Sequence, residues 1–342
     1  MKNKINYLWT TANPSRALFA AHEKDILLVR SLLFSSIERK SPTTNSAVKE
    51  ILQRKLRRAK EENLPTMFEL FPWIIRDFTG LEKKKTQQIA INWLAINLYV
   101  SFLDEHLDLK TEINAAEFLG SSLLGQRGLL NLFKIVRGTK FEKIFEAALF
   151  DSANYQLVDV LEQAKITEHK FEKAKSASGK NKILVACAGA LAASKVPHAN
   201  FIINFTNKLL LLVQYLDDLA DFEDDLKHNN ITILLNEIAK DKKLDLSRNE
   251  LVGELIKNRS LFKIITKIEM SLSASIELIE KNSSKNSKTS SSFIFFNALY
   301  LEVLVLWNLL EDGDYFNNLS ARDKSLFIEE VEKSIVKIYL HS

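Results

Sequence analysis

The sequence predicts an all-α protein, on three observations. Gly (9) and Pro (5) are scarce in a chain of 342 residues, and a long chain so poor in turn formers is most simply helical throughout. Apolar residues recur at helical spacing in nearly every segment, and no strand-like alternation bounded by turns stands out. Pro14, Pro42, Pro65, Gly80, Gly138, Pro197 and Gly313 fall between the periodic segments, where helices have to end.

Taken in order, the first helix runs over Ser15–Glu38, behind Pro14. Ser46–Glu62 follows Pro42 and carries the one basic run, Gln53–Lys60, with Ile51, Leu52 and Leu56 at helical spacing, which reads as a solvated face. Met67–Phe78 lies between Pro65 and Gly80. Lys83–Leu107 is apolar on more than one face, from Ile89 through Trp93, Leu94, Ile96, Leu98, Val100 and Phe102, and so belongs near the centre of the fold. Ala115–Arg137 ends before Gly138, and Phe141–Lys165 follows it. Lys182–Ala193 is almost wholly apolar, and Ala199–Lys227 starts after Pro197 with a second strongly apolar stretch ending in Leu209–Val213. Arg248–Glu280 reads as one long helix. Lys281–Ser292 (K-N-S-S-K-N-S-K-T-S-S-S) is low in complexity and reads as a flexible loop. Phe293–Leu310 and, beyond Gly313, Ala321–Leu340 complete the set. The expected organisation is one domain over residues 1–342, with 281–292 as a surface loop.

Composition narrows the function. Lys and Arg number 47 against 43 acids, a net +4, so charge makes no case for nucleic acid. The lone Cys187 excludes an intramolecular disulfide and a thiolate zinc site, and fits a reducing cytoplasm. No signal-peptide pattern follows Met1–Lys4. The longest apolar run, Ile183–Ala193, falls short of the ~20 residues of a membrane span, which leaves at most peripheral membrane contact. P-loop, G-x-S-x-G, H-E-x-x-H and EF-hand patterns are absent.

Two acid clusters carry the chemistry. Six of the nine residues from Asp217 to Asp225 are acidic, directly after an apolar helix. A smaller cluster, F-L-D-E-H-L-D over Phe102–Asp108, ends the other apolar helix. On helices, Asp104 and Asp108 share a face, as do Asp217, Asp221 and Asp225. Like charges at i,i+4 cost roughly 0.2–0.5 kcal/mol per pair, and acid at a helix C-terminus opposes the dipole by about 0.3–1 kcal/mol. Such helices call for a positive partner. His106 sits between the first acids and reads as turned away from them, and the carboxylates then make a hard, oxygen-only donor set suited to Mg²⁺ or Mn²⁺; magnesium characteristically shares its ligands with phosphate oxygens. The bland reading of either cluster is a solvated acidic helix end.

F-L-D-E-H-L-D resembles the first aspartate-rich motif, DDxxD, of class I isoprenoid synthases, with Glu105 in place of the second Asp. Q-Y-L-D-D-L-A-D-F-E-D-D-L resembles the second aspartate-rich motif of trans-prenyltransferases, and Gln214, Asp221 and Asp225 also match the Q-x6-D-x3-D pattern of squalene and phytoene synthases. The likeness covers about Lys83 to Thr232. It implies a single helical bundle around a deep apolar cavity, with Mg²⁺ ions holding a prenyl diphosphate between the two motifs. On that resemblance Asp104 and Asp108, helped by Glu105, bind the first metals. Asp217, Asp221, Asp218 and Asp225 supply the ligands of the remaining one. Gln214 lines the cavity, Tyr99 and Val100 help set its depth, and Lys180 and Lys182 lie where relatives carry a diphosphate-binding lysine. Arg76 is a further candidate phosphate binder, with a neighbourly pairing to Asp77 as its plain alternative; Arg127 is similar. Relatives are often homodimers.

Departures from the pattern shape the expected activity. Asp108 is followed by Leu109, Lys110 and Thr111 rather than the paired arginines of chain-elongating enzymes, and the N-D-x-x-S-x-x-x-E motif of ordinary bacterial cyclases is absent. The expectation is therefore a terpene synthase that ionises a linear prenyl diphosphate, releases diphosphate and quenches the carbocation. Head-to-head or chain-elongating condensation is the rival within the superfamily. A catalytically silent helical protein that binds a hydrophobic ligand or partner is the alternative of another class.

Overall fold

The computed structural model describes residues 14–38, 67–109, 115–163, 181–196, 198–228, 248–282, 289–311 and 313–341. Over 104–109 and 217–228 it describes the backbone alone. Every regular element among these residues is a helix apart from isolated turns, so the predicted fold class holds. We number the helices α1 (Pro14–Glu38), α2 (Met67–Thr79), α3 (Lys83–Leu109), α4 (Ala115–Val136), α5 (Glu142–Gln163), α6 (Ile183–Ala193), α7 (Ala199–His228), α8 (Arg248–Lys257), α9 (Ser260–Asn282), α10 (Ser291–Glu311), α11 (Gly313–Asn318) and α12 (Ala321–His341). The helix expected over Ser46–Glu62 lies outside the described residues. Contacts divide the chain into two compact units: residues 1–149, 183–204 and 282–293, and residues 150–182, 205–281 and 294–342.

In the first unit α1 packs on α2 and α3, α4 lies along α3, and the wholly apolar α6 meets α2, α3 and α4. Every residue of α6 from Ile183 to Ala192 is buried, Cys187 among them, and burial pushes its thiol well above the ordinary range, so it is inert. Phe71, Trp73, Ile74 and Ile75 leave α2 no exposed apolar side. Pro72 interrupts that helix and cannot donate to the carbonyl of Phe68. Trp93 of α3 fills the gap, its Nε1–H donating to that carbonyl at 2.7 Å. α3 and α4 approach closely because two positions lack a side chain: a Cβ at Gly125 would sit 2.7 Å from Tyr99 Cβ, and one at Gly128 would sit 2.5 Å from the Asn92 carbonyl oxygen. Asn131 Nδ2 donates to Asn92 Oδ1 across the same seam at 2.9 Å.

Polar clamps join the helices of this unit. Arg30 grips both carboxylate oxygens of Glu69 at 2.8 Å, from α1 to α2. Asp77 Oδ2 accepts from Ser292 Oγ at 2.6 Å and lies 3.1 Å from His22 Nε2. Burial opposes its charge, but these hydrogen bonds and the attraction of His22 win, holding the Asp77 carboxyl below its ordinary value.

In the second unit α9 buries Leu261, Ile264, Ile265, Ile268, Leu272 and Ile279, and α10 buries Phe296, Leu299, Val303, Leu306 and Leu310, both at helical spacing. Tyr300 Oη donates to Glu269 and Trp307 Nε1 to Thr266 Oγ1, each at 3.0 Å, tying α10 to α9. Among the described residues α10 alone is long and apolar enough to cross a membrane by length and composition, whereas the sequence points to Ile183–Ala193 as the longest apolar run. These contacts account for it as a core helix. The single helix expected over Arg248–Glu280 is in fact two. Arg259 turns into the left-handed region (φ 55°), donates to the Glu311 carbonyl at 3.0 Å and lays its guanidinium over Phe262. Residues 281–282 close α9 and 291–292 open α10, so both ends of the expected loop are helical; 283–288 fall outside the described residues.

Candidate functional site

The backbone of α3 stays helical through Leu109, so positions 104 and 108 are one turn apart on one face, as their spacing anticipates. The side chains of Asp104, Glu105 and Asp108 lie outside the described set. Immediately upstream, Phe102 is fully buried, and Tyr99 is half-buried, seated against Gly125 of α4. The apolar body of the helix thus reaches to within two residues of the first acid.

The second run has the same construction in the second unit. α7 continues unbroken to His228, which places 217, 221 and 225 at successive turns of one face. The side chains of Asp217, Asp218, Asp221 and Asp225 are likewise outside the described set. One turn before them Gln214 is buried, 4% exposed, and its Oε1 accepts a hydrogen bond from Asn181 Nδ2 at 3.3 Å. Tyr215 and Leu216 are buried beside it. A glutamine held in an apolar wall has its amide fixed in orientation, since a misplaced carbonyl or N–H would be left unpaired.

The candidate cations differ in their surroundings. Lys182 Nζ pairs with Asp151 Oδ2 at 2.5 Å and stands 5.2 Å from the centre of the Tyr155 ring. It follows Asn181, so the pair of residues 181 and 182 is stitched to α7 just ahead of the second acid run. Arg76 is the opposite case. Its Nε is buried without a hydrogen-bond partner, and no carboxylate among the described residues pairs with it, because Asp77 is engaged by His22 and Ser292. Lys180 lies outside the described residues. Asn181, Asp151 and Tyr155 were not singled out from the sequence. Asp151 and Tyr155 are one turn apart on α5, but nothing local marks them, since their partner lies some thirty residues on.

No group of three His, Cys, Asp or Glu gathers among the described side chains, and the two acid runs fall outside that set. What bears on a metal is the donor chemistry. Carboxylates spaced by single turns on continuous helices, with His106 two residues from Asp104 and so on another face of α3, fit Mg²⁺ or Mn²⁺ better than zinc or copper.

The helical fold is similar to that of two solved prenyl-chain synthases. A polyprenyl synthase from Roseobacter denitrificans shares it at a TM-score of 0.63, over 84% of this chain and 98% of its own, with 12% identity. A geranylgeranyl pyrophosphate synthetase from the archaeon Geoglobus acetivorans does so at 0.54, over 81% of this chain and 97% of its own, with 14% identity. No protein-family model matches the sequence, and no curated protein is significantly similar to it.

Proposed function

We propose that the protein is a Mg²⁺-dependent isoprenoid synthase acting on an allylic prenyl diphosphate. The observation that carries this reading is the build of α7. A buried helix bears a clamped glutamine, Gln214, and one turn later an acid run that helix energetics alone disfavours. Support also comes from the fold shared with two prenyl-chain synthases and from a second acid run at the end of α3.

In this reading Asp104 and Asp108 with Glu105, and Asp217 and Asp221 with Asp218 and Asp225, are the metal ligands. Bound Mg²⁺ supplies Lewis acidity toward the leaving diphosphate. The unpaired Arg76 guanidinium is the cation best placed by its surroundings to take a phosphate oxygen, because no internal carboxylate competes for it. Lys182 is a weaker candidate, since Asp151 already neutralises it. Gln214 presents its fixed amide to the substrate, and the apolar walls upstream of each motif, Tyr99 and Phe102 among them, keep water from the carbocation.

Between the two outcomes for that cation, condensation with a second prenyl unit has the better support, since the two similar solved structures are a polyprenyl synthase and a geranylgeranyl pyrophosphate synthetase. In that step the carbon–oxygen bond to diphosphate breaks, a carbon–carbon bond forms and the acceptor loses a proton. The residues after Asp108, which offer Lys110 alone where elongating enzymes place two arginines, favour the second reading, internal quenching to a terpene. We further propose a cytoplasmic homodimer, supported by the lone buried cysteine and by a row of exposed leucines, Leu119, Leu123 and Leu130, on one face of α4.

The test is incubation with geranyl, farnesyl and geranylgeranyl diphosphates and Mg²⁺, with and without isopentenyl diphosphate, followed by mass spectrometry of the extract. A longer prenyl diphosphate formed only with the acceptor supports condensation, and a hydrocarbon or alcohol formed without it supports the terpene reading. No consumption of any diphosphate would defeat both.

A further inference from the structure

A cavity of about 290 Å³ lies within the first unit, between α1, α3 and α4. Leu32, Ala95 and Leu124 give it an apolar surface, and Ser35, Ser36, Asn92 and Arg127 add polar groups from all three helices. Arg127 enters it with no ion-pair or hydrogen-bond partner among the described residues. Ser35 brings a hydroxyl without a partner among the described residues, whereas the hydroxyl hydrogen of Ser36 goes to the Leu33 carbonyl at 2.8 Å. Asn92 is spent at both ends, donating to the Gln88 carbonyl at 2.8 Å and accepting from Asn131 at 2.9 Å. No acidic side chain among the described residues lines the space. Among the described residues the space therefore offers a cation and a hydroxyl, and no carboxylate to attract an ammonium group.

We propose that this cavity binds a small anionic amphiphile, a carboxylate or phosphate head on a short hydrocarbon tail. The head takes the Arg127 guanidinium, which binds planar or tetrahedral oxyanions through two parallel N–H donors. The tail lies along Leu32, Ala95 and Leu124, replacing water against apolar surface. The volume is at the small end for ligand sites, which excludes long chains. The site is separate from the proposed catalytic one. Ala95 precedes position 104 by nine residues, two and a half turns, so the two occupy opposite sides of α3. The inference does not depend on the catalytic reading, because its readout is binding.

Calorimetric titration of the full chain with octanoate and with octyl phosphate tests it, with octanol and octyltrimethylammonium as head-group controls. The wild type takes up at least one of the two anions saturably, one per chain and at least about tenfold tighter than octanol, and which anion binds identifies the head. Arg127→Gln, a substitution at a half-buried surface position, removes that preference. Ala95→Phe fills the floor and abolishes uptake of both; should it fail to fold by circular dichroism, Arg127→Gln decides alone. Anions bound no tighter than octanol, or held by Arg127→Gln as tightly as by the wild type, overturn the proposal.

Discussion

Asp77 shows how much a single carboxylate organises here. Its oxygen receives Ser292 and faces His22, 215 and 55 residues away along the chain, so one side chain joins α1, α2 and the start of α10. Replacing it by Ala leaves the buried Ser292 hydroxyl and His22 without their acceptor and is expected to cost about 1–3 kcal/mol. The sign of its pH dependence follows from its lowered folded pKa. The unfolded chain binds this proton more readily, so the contribution is complete above the ordinary carboxylate value of 3.8 and is lost as pH falls through the folded one. Denaturant melts of the wild type and Asp77→Asn between neutral pH and pH ~3 should show the gap between them narrowing only at the acid end. At this scale the sequence was least legible. It suggests that Arg76 pairs with its neighbour, whereas Asp77 turns to His22 and Ser292 and leaves Arg76 unpartnered. Lys182 likewise meets Asp151, and Gln214 meets Asn181, at separations of 31 and 33 residues that no local pattern encodes.

At the scale of elements, periodicity and breakers located most helices within a residue or two, because an apolar stripe and a Pro or Gly are local signals. The break between α8 and α9 has neither. It rests on Arg259 in a left-handed conformation, held by the distant Glu311 carbonyl and the Phe262 ring. The reverse holds for Pro72, a breaker inside a helix that survives because Trp93 satisfies the Phe68 carbonyl. Trp93→Phe should therefore destabilise by roughly 1–3 kcal/mol, and by less in a Pro72→Ala background, where the new N–H serves the same carbonyl. A double-mutant cycle in urea measures the difference. Gly128→Ala drives a Cβ against the Asn92 carbonyl, with an expected loss of about 1–3 kcal/mol. Gly80→Ala meets open space and suffers only its positive φ of 66°, near 1 kcal/mol. Thermal melts of the two variants should rank them in that order.

At the scale of the molecule, the all-α fold was readable from composition and periodicity, and its likeness to prenyl-chain synthases from two short acid motifs, although sequence identity to the two solved structures is only 12% and 14%. Burial tolerates extensive replacement of one apolar residue by another. Acid runs at the ends of buried helices need a reason to persist. The exposed leucines of α4, 57% to 63% accessible, bear on assembly. Light scattering should give twice the chain mass for the wild type and the monomer mass for a Leu119→Glu, Leu123→Glu variant that keeps its helical spectrum.

The proposed chemistry is tested most directly by diphosphate release. With farnesyl diphosphate, isopentenyl diphosphate and Mg²⁺, the wild type should liberate diphosphate, chelation by EDTA should stop it, and Asp104→Ala and Asp217→Ala should each slow it by about 10²–10³-fold while retaining the helical spectrum. Release that persists undiminished in both variants, or none from the wild type with any prenyl diphosphate, would contradict the account.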